Sequence, residues 1–273
     1  MPQFDGVTIE RDPAQPRIAR LRLDRPARLN AIHAGMPPAI RAAVAWAEGD
    51  EQVHVIVVEG AGRAFCAGYD LVAFAQGASP GTGAEQPDPW DPMVDYALMK
   101  GWTEDFMSLW RCAKPTIAKV HGHAVAGGSD IALCCDLLVM AEDARIGYMP
   151  ARVWGCPTTA MWAYRLGPLR AKQLLFTGDT ISGAQAAAWG LANLAVPADE
   201  LDAATFDLVQ RATRGSAMSK GLGKHGFYAQ IDLDQPKAYA YTIELMASAA
   251  LTDDAQEGIA AFLEKRKPSF GAR

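Results

Sequence analysis

The chain has 273 residues, half of them hydrophobic and 21% charged, with a formal net charge of -5 at neutral pH. That balance is ordinary for a folded protein, long enough for one large domain, and it speaks against a general nucleic-acid binder. Five cysteines (Cys66, Cys112, Cys134, Cys135 and Cys156) show no metal-ligand spacing, and their odd number fits a reducing compartment better than a disulfide framework. The first twelve residues carry acids and no apolar run of signal-peptide type. The longest apolar stretch, Ile131 to Ala141, is interrupted by Asp136 and is too short to span a bilayer. A cytoplasmic protein with no membrane partner is expected.

In chain order, Ile18, Leu21 and Leu23 lie in a β-like run that ends at Asp24-Arg25-Pro26. Pro37 and Pro38 open an alanine-rich helix over Ile40 to Glu48, a position where proline is tolerated. The β-branched run Val53 to Val58 predicts a buried strand leading into Gly60-Ala61-Gly62. Gly77 to Pro92, rich in Gly, Pro, Ser and Asp, reads as an exposed loop, and a periodic helix follows over Met93 to Trp110. Pro115 to Val120 predicts a second strand before Gly122 and Gly127-Gly128. A helix is predicted to start at Ile131, and another strand runs from Leu137 to Met140. Strand, glycine loop, helix and strand thus occur twice, roughly sixty residues apart, which suggests a repeated ββα unit. Beyond Pro157 the pattern is helical, apart from a short strand near Ala192 to Val196. The last helix, over Asp253 to Arg266, presents Ile259, Phe262 and Leu263 on one face. The fold class is α/β with a helical C-terminal region.

The two glycine loops are GAGRAFCAGYDL (Gly60 to Leu71) and HGHAVAGGSDIALCCD (His121 to Asp136). A loop that feeds a helix N-terminus offers unpaired amides and the positive end of the helix dipole. Two such loops side by side can aim one N–H each at a single carbonyl oxygen, as an oxyanion hole does. The first loop does not complete a dinucleotide fingerprint, because Phe65 stands where a third glycine is required.

Both loops resemble the two signatures of the crotonase (enoyl-CoA hydratase/isomerase) superfamily: Phe-x-Ala-Gly-x-Asp-Leu, and Asn-Gly-x-Ala-x-Gly-Gly-Gly ending in Cys-Asp. DRPARLNAI (Asp24 to Ile32) is similar to that family's N-terminal CoA-binding segment. TGDTISGAQAAAWGLANLAVP (Thr177 to Pro197) and FLEKRKPSF (Phe262 to Phe270) are similar to its later segments, so the resemblance covers nearly the whole chain. It implies a spiral of ββα units over residues 1–200 holding an acyl-CoA site. It also implies a helical oligomerisation region over 201–273, and assembly as a homotrimer or a dimer of trimers. No cofactor is implied beyond the coenzyme A of the acyl-CoA thioester, and no metal.

Carried over residue by residue, the oxyanion hole is formed by the amides of Tyr69 and Gly127. Ala67 and Gly68 line the substrate beside it, Asp70 is a structural turn residue, and Arg28 is a candidate contact for CoA phosphates. Lys265-Arg266-Lys267 is a second basic candidate, reaching a neighbouring subunit. The family's hydratases use two glutamates. The first position falls on Asp130 here and the second near Pro150, flanked by Met149 and Ala151, none of which does acid–base chemistry. A dehalogenase-type nucleophilic aspartate is replaced near Thr158. Candidate stand-ins are His121, His123, Tyr148, Asp91, Asp95 and Tyr96, with Tyr148 also a substrate-binding position. Trp102, Trp110 and Trp154 are candidates for the core or for a bulky acyl pocket. The resulting expectation is an enoyl-CoA hydratase with Asp130 as its acid–base residue. The rivals are another enolate reaction (isomerisation, decarboxylation or thioester hydrolysis) and an acyl-CoA binding protein without catalysis.

Overall fold

The computed structural model describes residues 3–72, 89, 91–153 and 155–271. Most of the Gly77–Pro92 loop, and Trp154, lie outside the described residues.

A seven-stranded sheet has the order β1-β2-β3-β4-β5-β7-β10, and a three-stranded sheet the order β6-β8-β9. β1 (Gln3–Phe4), β2 (Val7–Arg11) and β3 (Ile18–Leu23) form an antiparallel meander. From β3 onward the large sheet is parallel, through β4 (Val55–Gly60), β5 (Thr116–Val120), β7 (Leu137–Ala141) and β10 (Leu194–Val196). Val55 to Val58 are all buried, as expected of a parallel strand covered on both faces. The small sheet holds β6 (His123–Val125), β8 (Arg145–Gly147) and β9 (Thr180–Ser182).

The helices are α1 (Met36–Gly49), α2 (Pro92–Arg111), α3 (Gly127–Cys134), α4 (Met161–Thr177) and α5 (Gly183–Ala188), followed by α6 (Leu201–Ala212), α7 (Ala217–Asp232), α8 (Gln235–Ala249) and α9 (Asp253–Leu263). Prolines 37 and 38 sit in the first turn of α1, where their missing N–H groups cost nothing, and Met36, Ile40, Val44 and Ala47 turn one face to the core. α4 is broken at Gly167 (φ 68°), just before Pro168. The strand and helix predictions for β3, β4, β5, β7, α1 and α2 agree with these elements to within a few residues.

The helix expected from Ile131 instead begins four residues earlier, at Gly127. Two glycines are poor helix formers, but a Cβ on Gly128 would stand 2.4 Å from the Cys66 carbonyl oxygen. The helix start is therefore dictated by close packing against the first loop. β5, β6 and α3 form one ββα unit, which presses the second glycine loop against the first.

Candidate active site

The turn Cys66–Asp70 is held on both sides. Towards β6, Cys66 N–H donates to the His123 carbonyl (2.8 Å) and Val125 N–H donates to the Cys66 carbonyl (3.1 Å). Towards the N-terminal segment, Ala67 N–H donates to Leu29 (3.0 Å), Ile32 N–H donates to Gly68 (2.8 Å), and Asp70 N–H donates to Ile32 (2.8 Å). Ile32 and Tyr69 form a parallel bridge in which Ile32 bonds the residues on either side of Tyr69. The Tyr69 amide therefore faces away from Ile32. Gly68 has φ +91°, and a Cβ there would lie 2.7 Å from the Ala126 Cβ and 3.6 Å from Gly127 N. Only glycine lets the two loops approach this closely.

On the second loop, Ala126 adopts φ 51° and ψ -128°, a costly conformation for a residue with a side chain. The turn it makes places Gly127 as the first residue of α3, whose amide has no carbonyl four residues back. The Ala126 carbonyl is taken up by the N–H groups of Ser129 (2.9 Å) and Asp130 (3.4 Å). The Tyr69 ring lies over Gly127, where an added Cβ would meet Cε2 at 2.8 Å. The ring is backed by Trp102 in a stacked pair, with centroids 5.8 Å apart. The turn at Tyr69 and the turn at Gly127, the second at a helix N-terminus, thus pack directly against each other.

Asp130 sits one turn into α3 and is 2% exposed. Helical side chains lean back towards the N-terminus, so its carboxyl is carried towards the Gly127 turn. Its Oδ1 accepts a hydrogen bond from Thr159 Oγ1 at 2.8 Å, and both groups are buried. Burial pushes the carboxyl up to about 7; the Thr159 bond works in the other direction and recovers only part of that shift, and no cation contributes. The same burial, with Asp130 nearby, pushes the phenols of Tyr69 and Tyr148 well above their ordinary range. Tyr148 O–H donates to the Cys156 carbonyl (2.9 Å), which fixes the ring beside the carboxyl.

The other residues singled out from sequence fall elsewhere. Asp70 is a turn anchor, accepting from Arg25 Nη2 at 3.0 Å. Arg28 is exposed at the end of a short 3-10 turn (Pro26–Arg28), one residue before Leu29, which binds Ala67. His121 bonds the Gly62 carbonyl through Nε2 (2.8 Å) and His123 is exposed. Asp91 caps α2 through the Met93 amide (2.8 Å), Asp95 is buried in that helix's first turn, and Tyr96 is exposed. Pro150 lies in a second 3-10 turn (Met149–Arg152). Arg266 is bound to Glu257 and Glu264. Thr159, adjacent to the Thr158 position considered above, is the site residue that the sequence does not reveal; its contact with Asp130 spans 29 residues and follows no local pattern. Among the described residues no cluster of three or more His, Cys, Asp or Glu side chains could hold a metal. No helix among them is long and apolar enough to cross a membrane.

The family model for enoyl-CoA hydratase/isomerase matches residues 14–273. The chain belongs to that family. A putative enoyl-CoA hydratase of Thermus thermophilus is 32% identical over 256 residues, covering 93% of this chain and 97% of the relative. A probable enoyl-CoA hydratase of Mycobacterium bovis is 28% identical over 99% of both chains. Among solved structures, an enoyl-CoA hydratase of Mycobacterium smegmatis is 43% identical with a TM-score of 0.76, covering 95% of this chain and 89% of that one. One from Geobacillus kaustophilus is 30% identical with a TM-score of 0.86 over 99% of each. The fold of this family member is the crotonase fold, with its helical C-terminal region.

Proposed function

We propose that this enzyme is an enoyl-CoA hydratase that works with a single acid–base carboxyl. The observation that carries the reading is Asp130, 2% exposed and poised near 7, one helical turn below the paired amides. The thioester oxygen accepts from the amides of Tyr69 and Gly127. Ionised Asp130 takes a proton from water as the water oxygen bonds to C3. The electron pair of the C2–C3 double bond then moves into the enolate, whose oxygen the two amides stabilise. The carboxylic acid so formed returns its proton to C2, the enolate collapses to the thioester, and Asp130 is ionised again. Atoms and charge balance with one residue, so Pro150 at the second family position does not block the reaction. Thr159 holds one carboxyl oxygen, leaving the other to face the substrate.

Ala67, Gly68 and Tyr148 complete the substrate surface, and Arg28 meets the CoA phosphates; the Ala67–Leu29 bond, which joins its segment to the oxyanion turn, supports this. No cofactor is needed beyond the CoA of the substrate. Residues 1–200 form the catalytic core and 201–273 a self-association region, for a trimer or a pair of trimers. The apolar side chains of Phe227, Ile243, Met246 and Phe262, exposed on α7 to α9, support that assignment. Five unpaired cysteines, four of them buried, support a cytoplasmic setting.

The test is the absorbance of the conjugated thioester of crotonyl-CoA. The wild type should bleach it, and Asp130→Asn should do so about 10²–10⁴-fold more slowly. An unchanged band with the wild type, despite measurable binding of the ester, would exclude hydration and leave another enolate reaction or a binding role.

A further inference from the structure

Segment 24–32 holds a residue that the proposed reaction does not use. Asn30 is 0% exposed, and a buried carboxamide needs partners at both of its ends. Its Oδ1 accepts from the Arg25 amide at 2.8 Å. Its Nδ2 donates to the carbonyls of Ala61 (2.8 Å), Ala64 (2.8 Å) and Phe65 (3.1 Å). Two N–H hydrogens thus serve three acceptors, and an ionised aspartate of the same shape would have none to give. The backbone is specialised as well. Leu29 (φ 51°) and Asn30 (φ 57°) are both left-handed, a region that asparagine enters more readily than most residues.

The three carbonyls belong to the loop that leads from β4 into the Cys66–Asp70 turn. That loop folds back on itself, because a Cβ on Gly60 would stand 2.4 Å from the oxygens of both Ala64 and Phe65. Buried carbonyl dipoles aimed at one spot repel unless a donor sits between them, and Asn30 Nδ2 is that donor. The main chain beside Asn30 carries the hold onward into the turn. Leu29 accepts from the Ala67 amide, the Asn30 carbonyl accepts from Cys66 Sγ at 3.0 Å, and Ile32 bonds Gly68 and Asp70 on either side of Tyr69. Left-handed residues at 29 and 30 break any regular ladder, so pairing alone does not hold this register. The Asn30 side chain fixes it from the centre.

We propose that Asn30 is a positioning residue for the oxyanion hole. By gathering the carbonyls of Ala61, Ala64 and Phe65, its carboxamide sets the direction of the Tyr69 amide. This rests on the acyl-CoA reading of the site and on Tyr69 as an oxyanion donor, but not on Asp130. A displaced donor weakens the transition state far more than it weakens ester binding.

Asn30→Gly keeps the left-handed backbone and removes only the carboxamide. The experiment pairs turnover of crotonyl-CoA with infrared spectra of bound butanoyl-CoA, a saturated ester that cannot be hydrated, isotope-edited with carbon-13 at the thioester carbonyl. The wild type should move that C=O band to lower wavenumber than in water, because the two amides polarise the carbonyl. Asn30→Gly should return the band at least about halfway and lower kcat about 10–10²-fold, with KM and the affinity for butanoyl-CoA within about threefold. A lower melting temperature with an unchanged band and kcat is the result of a purely structural role, and it overturns the proposal. Loss of ester affinity at an unchanged band position overturns it too. If Asn30→Gly does not fold by circular dichroism, Asn30→Asp carries the same comparison, since it keeps the shape and the oxygen that faces Arg25. A wild-type band at the free-ester position would remove the oxyanion reading and the proposal together. Band shifts as predicted, with no turnover of crotonyl-CoA by the wild type, would keep the positioning role and remove only hydration.

Discussion

Two carboxyls in this fold are almost equally buried and are driven in opposite directions. Glu59 on β4 is 3% exposed and Asp130 on α3 is 2% exposed. Burial pushes Glu59 up, but Lys119 at 2.6 Å and Arg22 at 2.9 Å outweigh it, and its carboxyl stays below the usual range. Asp130 meets only a threonine hydroxyl and rises to about 7. Depth alone therefore does not make a general base. What matters is whether cations accompany the carboxylate into the interior. Glu59 is wired for the sheet, holding β3, β4 and β5 together through residues on neighbouring strands. Asp130 is left without such support beside the turns proposed to form the oxyanion hole, and a carboxyl near 7 is what proton exchange at neutral pH requires.

The largest effect is expected from breaking the compensated side of this pair. Lys119→Met leaves Glu59 with only the half-exposed arginines and should destabilise the protein by about 3 kcal/mol at pH 7, measured by urea unfolding. Next comes the turn proposed to form the oxyanion hole. Gly68→Ala forces a Cβ into Ala126 at a positive φ, displacing the amides and lowering kcat by about 10²–10³ with the overall fold kept.

A smaller effect separates function from stability. Asp130 is protonated in the folded protein and ionised in the unfolded chain between its unfolded pKa, about 4, and its folded value of about 7. Over that window the folded state binds more protons at this residue, so Asp130's contribution to stability falls as pH rises and is smallest above 7. Asp130→Asn removes this penalty, so the variant should melt above the wild type at pH 8, by about 2–4 °C per kcal/mol recovered, and match it near pH 4. The smallest effect is Thr159→Val, which removes the one bond that lowers the Asp130 carboxyl. The acidic limb of kcat/KM should then move up by about one pH unit, the equivalent of about 1.4 kcal/mol.

The same contrast explains what could be read from the sequence. The parallel strands announce themselves as β-branched runs because both faces are buried; Val55 to Val58 is such a run. The glycine loops were legible as oxyanion candidates because Gly68 and Gly128 are positions where no Cβ fits. The strands β6, β8 and β9, at three residues each, carry no period of their own and exist through their partners. Thr159 is silent for the same reason, since its role arises from a contact across 29 residues. The identity of Asp130 was plain, but its poise near 7 depends on cations that stay away, which is a property of packing.

The central claim is that this poise belongs to Asp130. Its most direct test is infrared titration of the carboxyl C=O band between pH 4 and 9, recorded as wild type minus Asp130→Asn. The account predicts a single buried carboxyl titrating with a midpoint near 7. A midpoint at or below about 5, in the ordinary carboxylate range, would contradict it and return the acid–base role to another group.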